Sequence, residues 1–181
     1  MRLSLLFEDN LELHDKDEWG NIDELISDAA KRGKRDLNLE KLILDQYPRL
    51  AYEYAHDVIK GRWVEGEEAI KKNPGYVYYY ARDIIKGRWI EGEEVIKKHN
   101  LYSIYYARDV IKGRWIEAEE EIKKDPESAY YYVRDVIKGR WIEAEEIIKK
   151  NPYHAYNYAR DVLKLNYKEA EEWCWRARNQ Y

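Results

Sequence analysis

The residues with the most obvious chemical potential are glutamates that come in pairs three apart: Glu65 and Glu68, Glu91 and Glu94, Glu117 and Glu120, Glu143 and Glu146. On a helix that spacing puts both carboxylates on one face. Such a pair could hold a divalent cation or divide into a general acid and a general base. Acid–base work needs a carboxyl whose burial shifts its pKa, and a helix face charged throughout stays solvated. The pairs also recur at a constant interval, whereas a catalytic constellation is singular. They are expected to form a solvated face, with acids early and lysines late in each helix, as the helix dipole favours.

A second set recurs at the same interval: Tyr79, Arg82 and Lys86; Tyr105, Arg108 and Lys112; Tyr131, Arg134 and Lys138. Flanking positions depart from it, with Glu53 and His56 before and Asn157 and Arg160 after. Tyr and Arg are enriched among binding hot spots. Aligned in rows on one wall, these nine residues would form a recognition surface for an acidic or extended partner. The competing expectation is that the tyrosines and arginines stack on neighbouring helices through cation–π contacts.

Other chemistry finds little support. His14, His56, His99 and His154 fall at unrelated places, and Cys174 is the one cysteine, so neither a metal site nor an internal disulfide is expected. No Gly-rich phosphate loop, GxSxG or HExxH occurs. The expectation is a non-enzymatic chain with no cofactor. Asp57, Asp83, Asp109, Asp135 and Asp161, with Glu67, Glu93, Glu119, Glu145 and Glu171, recur on the flanks of the exposed stripes. They are expected to pair with Arg62, Arg88, Arg114 and Arg140 across helix contacts.

The elements that position these rows follow from a repeat. Lys-Gly-Arg-Trp stands at 60–63, 86–89, 112–115 and 138–141, always 26 residues apart, and Lys164-Leu165-Asn166-Tyr167 occupies the fifth slot. Units run over 47–72, 73–98, 99–124, 125–150 and 151–176. A degenerate first unit is expected at 21–46, a cap segment at 1–20 and a short tail at 177–181. Each unit reads as two helices. The first opens at Asn-Pro or Asp-Pro, where Asn or Asp caps free N–H groups and Pro loses nothing. It closes near Gly61, Gly87, Gly113 or Gly139, where glycine is expected to take the left-handed conformation. Helices this short are marginal alone and must stack. Their apolar arcs, such as Val77, Tyr80, Ala81 and Ile84, with Trp141, Ala144 and Ile148 on a second helix, are core. Small Gly66 and Gly92 let two helices approach. The fold expected is all-α, a right-handed-type α-solenoid of helix pairs.

Composition agrees. Tyr (18) and Trp (7) dominate over a single Phe, and such rings with a polar handle suit half-buried surfaces. A net charge of −4 argues against a bulk DNA binder. The apolar run Leu3–Phe7 is too short for a signal peptide and nothing approaches a membrane span, so a cytoplasmic chain with no membrane partner is expected. Trp173 and Trp175 enrich the last helix and are candidates for self-association.

The segments Tyr-Ala-Arg-Asp-Ile-Ile-Lys-Gly-Arg-Trp (80–89) and Tyr-Ala-Arg-Asp-Val-Ile-Lys-Gly-Arg-Trp (106–115) resemble short helical repeats in uncharacterised proteins of tailed bacteriophages and some bacteria. Those repeats usually carry Pro after the Trp, where this chain has Val64, Ile90, Ile116 and Ile142. The resemblance implies a viral or mobile-element setting and, in that case, the host cytoplasm. The architecture is also similar to tetratricopeptide and Sel1-like arrays, with a shorter period. The leading expectation is a protein-binding solenoid, more narrowly a phage-encoded inhibitor or adaptor acting on a host defence protein. Single-stranded nucleic-acid binding and a homo-oligomeric scaffold are the alternatives.

Overall fold

A computed structural model describes residues 16–178. Most of the expected N-terminal cap, 1–15, and the tail end, 179–181, lie outside the described residues. All described regular structure is helical. Helices α1 (Lys16–Arg32) and α2 (Leu37–Gln46) precede five pairs. The first members are α3 (Pro48–Tyr54), α5 (Pro74–Tyr79), α7 (Asn100–Tyr106), α9 (Pro126–Tyr132) and α11 (Pro152–Asp161). The second members are α4 (Glu67–Ile70), α6 (Ile90–Ile96), α8 (Ile116–Ile122), α10 (Glu145–Ile148) and α12 (Tyr167–Arg178). First helices touch the first helices of adjacent units, and in the regular units the main partners of second helices are first helices, so the chain is an all-α solenoid.

The starts follow local chemistry. The Asn73 carboxamide accepts from the N–H groups of Gly75 and Tyr76, the Asp125 carboxylate from Ser128, and the Asn151 carboxamide from Tyr153 and His154. The ends do not follow the expectation. Helices α3, α5, α7 and α9 run on into π turns at Ala55–Ile59, Tyr80–Ile85, Ala107–Ile111 and Val133–Ile137. The next N–H, on Lys60, Lys86, Lys112 or Lys138, bonds the carbonyl five residues back. Those lysines, with Lys164, are the left-handed residues, at φ between 53° and 61°, and Gly61, Gly87, Gly113 and Gly139 are not. The reversal thus comes at lysine, one position before glycine, and Lys164 makes it after α11 without a π segment.

The core repeats with the chain. Trp63, Trp89, Trp115 and Trp141 are buried against the first-helix tyrosines of their own units, at ring separations of 5.0, 4.9, 5.1 and 5.3 Å. Each Trp backbone N–H donates to a tyrosine hydroxyl of the following unit, Tyr80, Tyr106, Tyr132 or Tyr158, at 2.6–3.0 Å. The same hydroxyl donates to Glu67, Glu93, Glu119 or Glu145, at 2.9–3.3 Å. Arg62, Arg88, Arg114 and Arg140 grip these glutamates through two nitrogens each. The glutamate half of the expected pairing therefore holds, but within one turn of chain and with the carboxylate buried. A Cβ on Gly92 would stand 2.5 Å from Val77 Cγ1 and 2.6 Å from the Trp89 ring, so this glycine does admit a close approach. One on Gly66 would enter the ring of Trp63, its own neighbour.

The N-terminal pair reproduces this lock without a Trp. Arg35 grips Glu40, Tyr54 Oη donates to Glu40 at 2.8 Å, and the Asp36 N–H donates to Tyr54 Oη at 2.8 Å. Glu40 and Tyr54 are 14 residues apart, against 13 for Glu67 and Tyr80, so one extra residue lies between Glu40 and the start of α3. Asp36 fills the Trp position, Leu39 buries itself in the Gly66 position, and Gly33 (φ 63°) takes the left-handed turn.

Candidate binding surface

The expected stripe lies along the first helices. Tyr79 is exposed, Tyr105 and Tyr131 are half-buried, and Arg82, Arg108, Arg134, Lys86, Lys112 and Lys138 are exposed. Within each unit tyrosine and arginine come together. The guanidinium carbon lies 5.0 Å from the Tyr79 ring centre for Arg82, 4.9 Å from Tyr105 for Arg108 and 4.6 Å from Tyr131 for Arg134. The stacking is thus with the arginine's own helix rather than a neighbouring one. It holds each arginine still and covers one face of each ring.

The aspartates belong to this stripe, which corrects their expected pairing with Arg62 and its equivalents. Arg82, Arg108, Arg134 and Arg160 each clasp the next residue, Asp83, Asp109, Asp135 or Asp161, at 2.6–3.0 Å. Tyrosines of the preceding unit complete three clasps: Tyr52 donates to Asp83, Tyr78 to Asp109 and Tyr130 to Asp161. Asp135 receives no such bond because Ile104 stands in the tyrosine slot. The sequence signal for this inter-unit tie was a Tyr 31 residues before an Asp. In the flanking units Glu53 is held by Arg49, His56 stacks on Tyr52, and Asn157 is buried, so the stripe ends there.

The aspartate clasp is acid-sensitive. The bonded arginine, helped by the tyrosine hydroxyl, holds Asp83, Asp109 and Asp161 below the ordinary carboxylate range against the opposing effect of burial. Arg35 and then Tyr54 do the same for Glu40, whereas burial raises Glu53. A lowered folded-state pKa stabilises the fold above the unfolded value, near 4, and that contribution disappears as pH falls through the folded value. The melting temperature is expected to stay level from about pH 7 to about 5 and to drop below about 4. Asp109→Asn should flatten the drop in a series of melts against pH; an unaltered profile would remove this clasp from the account.

The lysines behave differently. Among the described residues, Lys60, Lys86, Lys112, Lys138 and Lys164 have exposed side chains with no ion pair or hydrogen bond. By contrast Lys71, Lys97, Lys123 and Lys149 each bind the glutamate three residues earlier. A left-handed non-glycine residue costs on the order of 1–3 kcal/mol. A positive charge at a helix C-terminus recovers only about 0.3–1 kcal/mol. Lys86 and Lys112 share an open cleft with Arg82, Gly87, Asp109 and Val110, of about 260 Å³.

The outer carboxylates form the solvated face expected, Glu68, Glu94, Glu120 and Glu146 being tied to those lysines. Among the described residues there is no cluster of His, Cys, Asp or Glu able to hold a metal, and no helix long and apolar enough to cross a membrane. Trp173 lies half-buried 5.7 Å from the Tyr158 ring, with the Lys149 ammonium over it at 4.8 Å, and the Trp175 side chain lies outside the described set. Neither a family model, nor a curated protein, nor a solved structure matches this chain, so its affinities have to be argued from the surface itself.

Proposed function

We propose that the chain is a non-enzymatic protein-binding solenoid that takes an acidic partner on the wall of Tyr79, Tyr105 and Tyr131 and their Arg and Lys neighbours. The observation that carries this reading is the row of unpaired lysines held at a backbone conformation that costs stability. The arginines beside them are neutralised by aspartates, so the lysines supply the wall's free charge. Preset Tyr–Arg stacks lower the ordering cost of binding. The phage-like repeats support a narrower reading, an inhibitor or adaptor acting on a host protein.

The lysine row also favours a second reading, single-stranded nucleic acid. Base stacking needs open ring faces, and the arginines cover one face of each wall tyrosine, which favours the protein partner. A scaffold built through Trp173 is disfavoured because that ring already packs within its own chain.

Tyrosine-to-alanine changes would confound a test, since Tyr105 and Tyr131 pack against the core. Lysine-to-glycine changes separate folding from binding. The triple variant Lys86→Gly, Lys112→Gly and Lys138→Gly gains more by relief of the left-handed backbone than it loses by a looser unfolded chain, so it should be at least as stable as its parent. Salt-sensitive capture of a protein from bacterial lysate should be lost with the triple variant. Capture by the variant equal to that by the parent would sink the wall. Capture abolished by nuclease would transfer the surface to nucleic acid.

A further inference from the structure

The wall is not uniform along its length. At three of the four joints between successive first helices, an aromatic contact and a hydroxyl bond cross from one unit to the next. Between α3 and α5, Tyr52 lies 5.9 Å from Tyr76 and 6.0 Å from Tyr79, and donates to Asp83 at 2.9 Å. Between α5 and α7, Tyr78 lies 6.5 Å from Tyr102 and 5.9 Å from Tyr105, and donates to Asp109 at 2.6 Å. Between α9 and α11, Tyr130 lies 5.3 Å from the His154 ring and donates to Asp161 at 3.3 Å. The third joint, between α7 and α9, has neither tie. Ile104 stands in the slot of Tyr52, Tyr78 and Tyr130, and Ser128 in the slot of Tyr76, Tyr102 and His154. The Ser128 hydroxyl turns back to Asp125 of its own helix cap, at 2.6 Å. Among the described residues Asp135 is held by Arg134 alone, and no ring contact crosses this joint. The exposed ion pairs Arg62–Glu91 and Arg88–Glu117 cross the first two joints, and among the described residues no such pair crosses the third or the fourth.

We infer that the joint between α7 and α9 is a built-in hinge, which opens on the wall side and divides the solenoid into two blocks, α1 to α8 and α9 to α12. The other side of the same joint is tied as firmly as anywhere in the array. The Trp115 N–H donates to Tyr132 Oη at 2.6 Å, that hydroxyl donates to Glu119 at 3.1 Å, and Arg114 grips Glu119. A joint tied on one side and untied on the other pivots about the tied side. Ile104 is 3% exposed, so apolar packing still favours the closed position. Apolar burial is non-directional and lets packed helices shear, whereas a hydrogen bond fixes both distance and angle. Lacking one hydrogen bond to a charged group raises the open population at a joint about tenfold or more. In a stacked array each interface contributes separately, so the deficit stays local. Opening changes the spacing between Tyr105 and Tyr131 and leaves that between Tyr79 and Tyr105 fixed. The hinge does not depend on what the wall binds.

The test measures distances across the joints in the full chain. Nitroxide labels are carried on ketone-bearing residues at exposed lysine positions, which leaves Cys174 untouched. Lys60, Lys86, Lys112 and Lys138 share one backbone conformation, at φ 53–61°, so the labels have the same freedom at each. A pair at Lys60 and Lys112 spans the first and second joints, and a pair at Lys86 and Lys138 spans the second and third. Double electron–electron resonance should give the broader distance distribution for the second pair. Ile104→Tyr, which returns a hydroxyl to Asp135, should narrow that distribution to match the first pair. Tyr78→Ile should broaden the first pair, because it moves the defect to the second joint. Equal widths for the two pairs in the parent chain would overturn the hinge. So would a Tyr78→Ile chain, folded by circular dichroism, in which the first pair stays narrow; this variant decides the matter if Ile104→Tyr does not fold. A folded Ile104→Tyr chain whose second pair stays broad would also overturn it, since the missing tie would then not be the cause.

Discussion

Trp115→Ala is expected to lower the unfolding free energy by roughly 3–5 kcal/mol, the usual result of truncating a large aromatic in a packed interior. Trp115 is 1% exposed, with its ring 5.1 Å from that of Tyr106, so little room exists for the surroundings to collapse into the space left behind. Whole domains are stable by only about 5–15 kcal/mol. In a stacked array each unit draws stability from its neighbours, so damage in the middle spreads both ways. Urea unfolding followed by circular dichroism measures the effect. A loss under about 1 kcal/mol would mean that the rings do not carry the stack.

Tyr106→Phe removes one oxygen and should cost nearly as much, roughly 2–4 kcal/mol, because two buried groups lose a partner. The Trp89 N–H would have no acceptor, and Glu93 would keep Arg88 but lose the hydroxyl donor. Burial and the neighbouring carboxylate raise the Tyr106 pKa, so its hydroxyl stays protonated and able to donate at any ordinary pH. Since this oxygen ties one unit to the next, the melt should broaden or split, with faster hydrogen exchange at the Trp89 amide. Tyr105→Phe is the control, expected to change stability by less than about 0.5 kcal/mol. Equal effects from the two variants would refute the inter-unit lock.

Much of the architecture is legible in the sequence where local preference and packing agree. Asn73-Pro74, Asp125-Pro126 and Asn151-Pro152 begin helices, and Trp141, Ala144 and Ile148 turn inward. The glycine expectation failed where the two diverge: backbone preference chooses Gly87, but the chain reverses at Lys86. The pairing of Glu93 with Arg88 could be read from the repeat, but its burial and its bond to Tyr106, 13 residues on, could not, because no single-helix pattern joins them. The nine candidate residues could be read as rows, but their charges could not. Adjacent helix residues point apart, so the clasp of Arg82 on Asp83 is invisible until the guanidinium is seen reaching round. Only that clasp reveals that lysine, not arginine, is the free cation.

Borrowing each hydroxyl from the unit that comes next gives the stack a direction. In α12, Tyr167 stands in the Trp slot, 66% exposed, with its hydroxyl turned back onto Glu171 of the same helix. Among the described helices α12 should therefore be the first to open under force, because its Tyr167 makes no bond of this kind to another unit.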